Sequence, residues 1–364
     1  MQTADRNIWI TQAEYAKKIR PLLPPEAFLP DPNKVIILFI NIAILILGWS
    51  IAAQLDRWNW YFLWLYLPLA LVMGNSITVL IFSTHEMLHS GTIKNYWLRE
   101  IVSLLGWSMA WMTPTLWKVI HHREHHQKTN SLTDPDRNYL QSQPDSWGKW
   151  IHNLFAPSAE VNPFWFIIGM TSAWAVHNFR NIISVLIFND GLVDIPIVAV
   201  KVSDKERRTI SIELLLTICI HLSICAYLGF HPLNLFLGYF LPIWIGYSIA
   251  MFYIYTNHLL CQMTSINDPL INSVSLRVPK IFDLLHLNFS YHTEHHIFPG
   301  INSDYCPMVR ELLQTHYADR FNLLDAKEAW KLMLNTPRHY QDEQTLTDWS
   351  GEKAVTCPLI KPNI

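Results

Sequence analysis

Four apolar stretches, each about as long as a bilayer is thick, constrain this chain more than any other feature. Residues 34–55 are almost uninterruptedly apolar, and twenty-two helical residues reach about 33 Å, enough to cross a hydrocarbon core. A short link, Asp56 to Asn59, leads into a second run from Trp60 to Phe82. Trp58, Trp60, Tyr61 and Trp64 there form an aromatic cluster suited to a membrane interface. After the charged linker Lys201 to Arg208, residues 210–230 and 233–256 make a second pair, separated by Gly229-Phe-His-Pro232. Inside lipid every backbone polar group must be satisfied within the protein, so such runs are expected to be helices. The expected fold is therefore all-α, an integral membrane protein with four transmembrane helices in two hairpins.

Composition agrees with a membrane chain. Of 364 residues, 51% are hydrophobic and only 15% charged, against roughly 25% charged in soluble domains. The formal charge of −2 and the absence of a basic run give no sign of nucleic-acid binding. Cys219, Cys225, Cys261, Cys306 and Cys357 form no CxxC, which argues against a disulfide framework or a thiolate-held metal. Residues 1–33 form a polar N-terminal segment without the features of a signal peptide, so the first membrane helix is expected to stay in the mature protein. Residues 34–300 are read as the membrane domain, and 301–364, charged and proline-punctuated, as a tail or cap. Within the domain, 99–117 and 163–188 are apolar but interrupted by Pro114, His177, Asn178 and Arg180. They are expected to lie along the membrane as interfacial or re-entrant helices.

Three histidine clusters stand among these segments: His85 and His89; His122, His125 and His126; and His292, His295 and His296. Four crossings put all three, with both termini, on one side. That side also carries Lys17, Lys18, Arg20, Lys34, Lys94, Arg99, Lys201, Lys205, Arg207 and Arg208, whereas the opposite loops hold only Arg57. Positive charge concentrates on cytoplasmic loops, so the histidines are expected at the cytoplasmic side.

On an α-helix, residues at i, i+3 and i+4 share a face, so each cluster offers two or three imidazoles to one point. HxxHH should arise by chance roughly 0.04 times in such a chain, yet it occurs twice. Eight imidazoles exceed what one tetrahedral zinc takes and suit two metals with positions left for oxygen. His85-Glu-Met-Leu-His89 alone spells the zinc-protease HExxH, with Glu86 as base, but that reading leaves both HxxHH clusters unexplained. A ferritin-like carboxylate site fails too, because only Glu86 to His89 has its Glu-x-x-His spacing.

The order HxxxH, HxxHH, HxxHH among membrane hairpins resembles the membrane fatty acid desaturase superfamily, from about Asn75 to Gly300. Asp134-Pro-Asp136 and Phe298-Pro299 resemble its acyl-lipid branch. The resemblance implies a histidine-rich non-haem di-iron centre in a cytoplasmic cap, and O2 as co-substrate. It implies a fatty acyl lipid substrate, and electrons from an external carrier, ferredoxin or cytochrome b5 with its reductase. His85, His89, His122, His125, His126, His292, His295 and His296 carry over as metal ligands. His258, at the end of the fourth membrane helix, is a ninth candidate. In the acyl-CoA branch an Asn precedes this His by four residues, where this chain has Ile254, and the first box there is HxxxxH. Both departures point to an acyl-lipid subgroup. Glu86, Asp134, Asp136 and Glu294 are candidates for orienting the ligands, and no catalytic group beyond the ligands is assigned. Asp134 and Asp136 could equally cap a turn around Pro135.

The implied reaction is insertion of a double bond into a fatty acyl chain. Hydroxylation or ketolation of a lipid, sphingolipid or carotenoid is the alternative on the same ligands, and a catalytically silent scaffold is a third reading. His121 is expected outside the ligand set, His286 in packing, and His177 and His221 as hydrogen-bonded interior groups. His152, His316 and His339 carry no local signal. Trp107, Trp111, Trp117 and Tyr253 are read as interfacial anchors rather than the lining of an acyl tunnel. His231-Pro232 lacks the two following glycines of a haem-binding cytochrome b5 domain, and no fused electron-transfer domain is recognised.

Overall fold

The computed structural model describes residues 9–136, 156–187, 200–258 and 261–360, so His152 and residue 188 lie outside the described residues. Among the described residues, four helical segments are long and apolar enough to cross a membrane: Asn33–Arg57, Trp60–Ser90, Asp204–Tyr227 and Pro232–Ile254. They match the four apolar runs, and the second extends past Phe82 so that the first histidine box rides on its last turns. Gly91, at φ 63°, closes that helix in the left-handed conformation that favours glycine.

The second span is the centre of the bundle, packed against both the first and the fourth. Small residues make this possible. A Cβ at Gly246 would lie 2.8 Å from the Gly74 carbonyl oxygen, and one at Gly48 would overlap the Met73 side chain. Thr78 adds an interhelical hydrogen bond to the Gly246 carbonyl (3.0 Å). The outer face of the first span, including Ile36, Phe39, Ile40 and Leu47, is exposed, as a lipid-facing helix requires. Trp60, Tyr61 and Trp64 are exposed in the short 3-10 turn that opens the second span.

The segment expected to be re-entrant is a helix, Tyr96–Ser108, followed by an unwound turn where Trp111 takes φ 51°. Its free carbonyls are satisfied by side chains from three helices. His221 of the third span bonds Ser108 O, Tyr247 of the fourth bonds Met109 O, and Trp174 and Asn178 both bond Ala110 O. Non-helical backbone at membrane depth needs such partners. Trp174 and Asn178 come from Pro163–Leu186, a continuous helix packed on the fourth span.

The all-α expectation needs one correction. Ser275–Arg277 pairs in parallel with Leu323–Asp325, and three short antiparallel strands lie between His339 and Thr356. Strands of two or three residues carry no alternating hydrophobic pattern long enough to recognise. The terminal segments join here. Tyr15, Ile19 and Leu23 form a core with Ile297, Phe298, Val309, Leu313 and Phe321. Beneath it, Asp268 receives hydrogen bonds from Arg320 (2.6 Å), Tyr15 (3.1 Å) and the Ile10 amide (3.0 Å), with the Arg320–Asp268 pair fully buried. The N-terminal helix Gln12–Ile19 and the C-terminal residues thereby bracket the third histidine box.

Candidate metal centre

The three boxes converge. His85 and His89 descend from the end of the second span, and His292, His295 and His296 from the short helix His292–Ile297. In the second box, His122 and His125 lie on Lys118–His125, which is π-helical rather than α-helical, and His126 opens the α-helical turn His126–Lys128. That register alters which side chains share a face. With a wider turn, His121 lies above His125 and His126, while His122 rotates outward and is exposed. The expected α-helical triplet of His122, His125 and His126 is thus corrected in its geometry. His121, expected outside the set, faces the cluster, with Nε2 3.0 Å from His85 Nε2. His122 stays at the rim, its ring 4.8 Å from that of His89.

Two groups of four imidazoles result, each with its ligand nitrogens within 4.8 Å of one another: His85, His89, His121 and His295, and His125, His258, His292 and His296. His126 lies between them, its Nε2 3.2 Å from His295 Nε2 and its ring 4.6 Å from that of His296. His258 reaches the second group across a wide sequence gap, with Nε2 2.8 Å from His292 Nε2.

The outer nitrogens decide where the lone pairs point. Asn272 O can only accept, so His258 Nδ1 carries the proton it donates there (2.8 Å), and Nε2 is left with its lone pair facing the group. His125 Nδ1 lies 2.9 Å from both oxygens of Asp134, which orients it the same way. His121 Nδ1 meets Asp136 at 3.2 Å. Asp134 also accepts the Asn130 and Asp136 amides, so the turn-cap reading and the ligand-orienting reading describe one carboxylate. Burial alone would raise the Asp136 carboxyl, but hydrogen bonds from His121 and His177 hold it well below the ordinary range.

Glu86 and Glu294 do different work. Glu86 accepts the Ser303 amide (3.2 Å) and hydroxyl (3.0 Å), tying the second span to the C-terminal segment. Glu294, fully buried, accepts from Arg310 (2.8 Å) and Ser275, fastening the third-box helix. His286 bonds Tyr253 (2.8 Å) and Asn75 (3.1 Å), away from both groups. Of the aromatics read as interfacial anchors, Trp107, Trp117 and Tyr253 are buried in the core, which corrects that expectation. Trp117 lies against His85, His89 and His121, with ring centroids 5.1–5.3 Å away. Residue type alone does not separate an interfacial tryptophan from one packed on an imidazole.

The donor set fits metal ions. Burial first, then repulsion among neighbouring imidazoles, holds His126, His292, His295 and His296 well below the usual histidine value, so they stay neutral and keep a lone pair. Both ring nitrogens of His89, and Nδ1 of His126, are buried without a hydrogen-bond partner. Orphaned nitrogens in the middle of such a cluster call for an electrophile. Two groups of four imidazoles suit a pair of divalent transition metals.

Comparison with known proteins places this geometry in context. The family model described as fatty acid desaturase matches residues 58–324, from the second span to beyond the third box. Over 124 residues the chain is 27% identical to the sn-1 acyl-lipid omega-3 desaturase (ferredoxin) of Nostoc sp. (strain 36). That stretch is 33% of this chain and 32% of that enzyme, so the match spans about a third of the relative's length.

Proposed function

The chain belongs to the fatty acid desaturase family, and we propose that it inserts a double bond into a fatty acyl chain of a membrane lipid, using O2 and a non-haem di-iron centre. One observation carries this reading: three histidine boxes and His258 bring two four-imidazole groups side by side. His85, His89, His121 and His295 would hold one iron, with His122 and His126 at its edge, and His125, His258, His292 and His296 the other. Bound there, the two irons would supply O2 activation for removing hydrogen from an unactivated methylene.

The protein's own groups prepare that chemistry. Asp134 and Asn272 fix Nδ1 of His125 and His258, so the inward nitrogens need no rearrangement to bind. Trp117 and Phe289 cover His85 with apolar surface (ring centroids 5.3 and 5.6 Å), which keeps water from the reacting carbon. The terminal segments, locked by Asp268 and Arg320, close the face opposite the spans.

The reaction removes two hydrogens from neighbouring carbons and, with two electrons and two protons, reduces one O2 to two waters. The electrons come from a separate carrier, ferredoxin or cytochrome b5 with its reductase. The name of the Nostoc relative favours ferredoxin. The concentration of lysine and arginine on the histidine side supports a cytoplasmic site.

Expression in a host lacking desaturases, followed by lipid mass spectrometry, tests the proposal. Acyl chains lighter by two hydrogens are expected. Chains heavier by one oxygen would make the protein a hydroxylase, and unchanged lipids with ferredoxin and with cytochrome b5, each supplied with its reductase, would refute catalysis.

A further inference from the structure

The route by which an acyl chain reaches the histidines is marked by residues 279–289, which lie outside the four spans. His286 in this segment bonds Asn75, ten residues before His85 on the second span. At 1.5 Å per residue, that contact lies about 15 Å along the helix axis from the box, within the apolar part of the span. The segment therefore dips beside the second and fourth spans, touching Asn75 and Phe82 of one and Tyr253 of the other.

Its short helix Lys280–Leu285 has no buried residue, and Ile281, Phe282, Leu284 and Leu285 are all exposed, Leu284 by 75%. An exposed apolar face of this kind marks a surface that meets lipid or a partner, and its place beside the apolar spans favours lipid. Leu287, Asn288 and Phe289, which follow this helix in the chain, line a cavity of about 40 Å³ with Phe82 and Ile301, the polar Glu86 and Ser303, and the imidazoles of His85, His292 and His295. Phe82 and Phe289 stack at 3.7 Å on the cavity wall, and Phe289 also abuts His85. Leu287 and Asn288 sit consecutively in the left-handed region, φ 54° and 58°; Asn adopts it readily, whereas Leu287 is strained there. Such strain persists at places whose conformation serves function.

Building on the desaturase reading, we propose that this segment is a lateral doorway. One acyl chain of a bilayer lipid passes beneath Lys280–Leu285 into the cavity at His85, His292 and His295. The Phe82–Phe289 stack is the inner leaf, and Leu287 and Asn288 are its hinge. The ligand is an acyl chain presented from the hydrocarbon layer, which distinguishes it from a thioester arriving through water.

The test uses the full chain in phosphatidylcholine vesicles whose lipid carries a diazirine midway along one acyl chain. After irradiation, adducts are mapped by peptide mass spectrometry, with or without iron. Adducts are expected on Leu287, Phe289 and Ile301, besides those on belt residues such as Ile40 and Leu47. Phe289→Trp, which narrows the doorway, should lower the Ile301 adducts at least five-fold while belt labelling stays constant. Leu284→Ser, altering only the exposed face, should lower them as well. Belt labelling without adducts on the cavity wall overturns the doorway. So does wall labelling from a diazirine acyl-CoA added in water that matches the lipid probe. Desaturated lipids combined with either result would sink the doorway and leave the activity standing. Wall adducts with unmodified cellular lipids would support the doorway and sink the activity.

Discussion

Replacing Asp134 with asparagine changes one oxygen to an amino group and nothing else in shape, yet each oxygen is already committed. Oδ2 accepts the Asn130 amide at 2.8 Å, Oδ1 accepts the Asp136 amide at 3.0 Å, and both lie 2.9 Å from His125 Nδ1. Whichever way the amide turns, its NH2 faces a backbone donor, so one buried N–H is left unsatisfied at a cost of about 1–3 kcal/mol. The carboxylate charge that fixes the His125 tautomer is also lost. An Asn amine can drive Nδ1 to accept, which turns an N–H toward His258, His292 and His296. Loss of such an orienting partner typically lowers metal affinity by about 10–100-fold, a separate effect from the cost to stability. Ferrous iron affinity measured by chelator competition, beside thermal unfolding of the iron-free protein, separates the effects. We expect Asp134→Asn to weaken iron binding by about 10–100-fold and to lower the melting temperature. A lower melting temperature with wild-type iron affinity would mean that Asp134 only caps its turn, and would refute the argument.

Three further outcomes follow from particular contacts. His121→Ala should lower bound iron as far as His85→Ala does; wild-type iron content would show that the π-helical register does not set the ligand face. Because His292, His295 and His296 sit below their ordinary value in the folded, iron-free protein, the unfolded chain binds protons first as pH falls. Stability is then present above about pH 6.5, the unfolded histidine value, and declines below it, so melting temperatures from pH 7.5 to 5.5 should fall steadily and iron should shift the decline to lower pH. Gly106→Ala places a Cβ 1.8 Å from Thr84 Oγ1, one residue before the first box. A loss of about 1–3 kcal/mol in unfolding measurements is expected from overpacking; an unchanged unfolding midpoint would show that the helices separate freely there.

The membrane spans and the three boxes were legible from the chain alone, for a simple reason. Hydropathy over some twenty residues is a sum of single-residue properties, and histidines three or four apart are neighbours by covalent spacing. The choice of His121 over His122 as the inward-facing ring was not legible, because α and π registers differ through contacts made outside the segment. Nor was the pairing of His258 with His292, or of Glu294 with Arg310, since no local pattern ties side chains that meet only when distant segments fold together. Asp134 stands between the two cases: its place in a turn could be read from Pro135, but its hold on His125 depends on how that turn folds back on the helix. Residues 279–289 show the same division most plainly. Their leucines and phenylalanines read as ordinary apolar content, and only the bond from His286 to Asn75 sets them beside the second span.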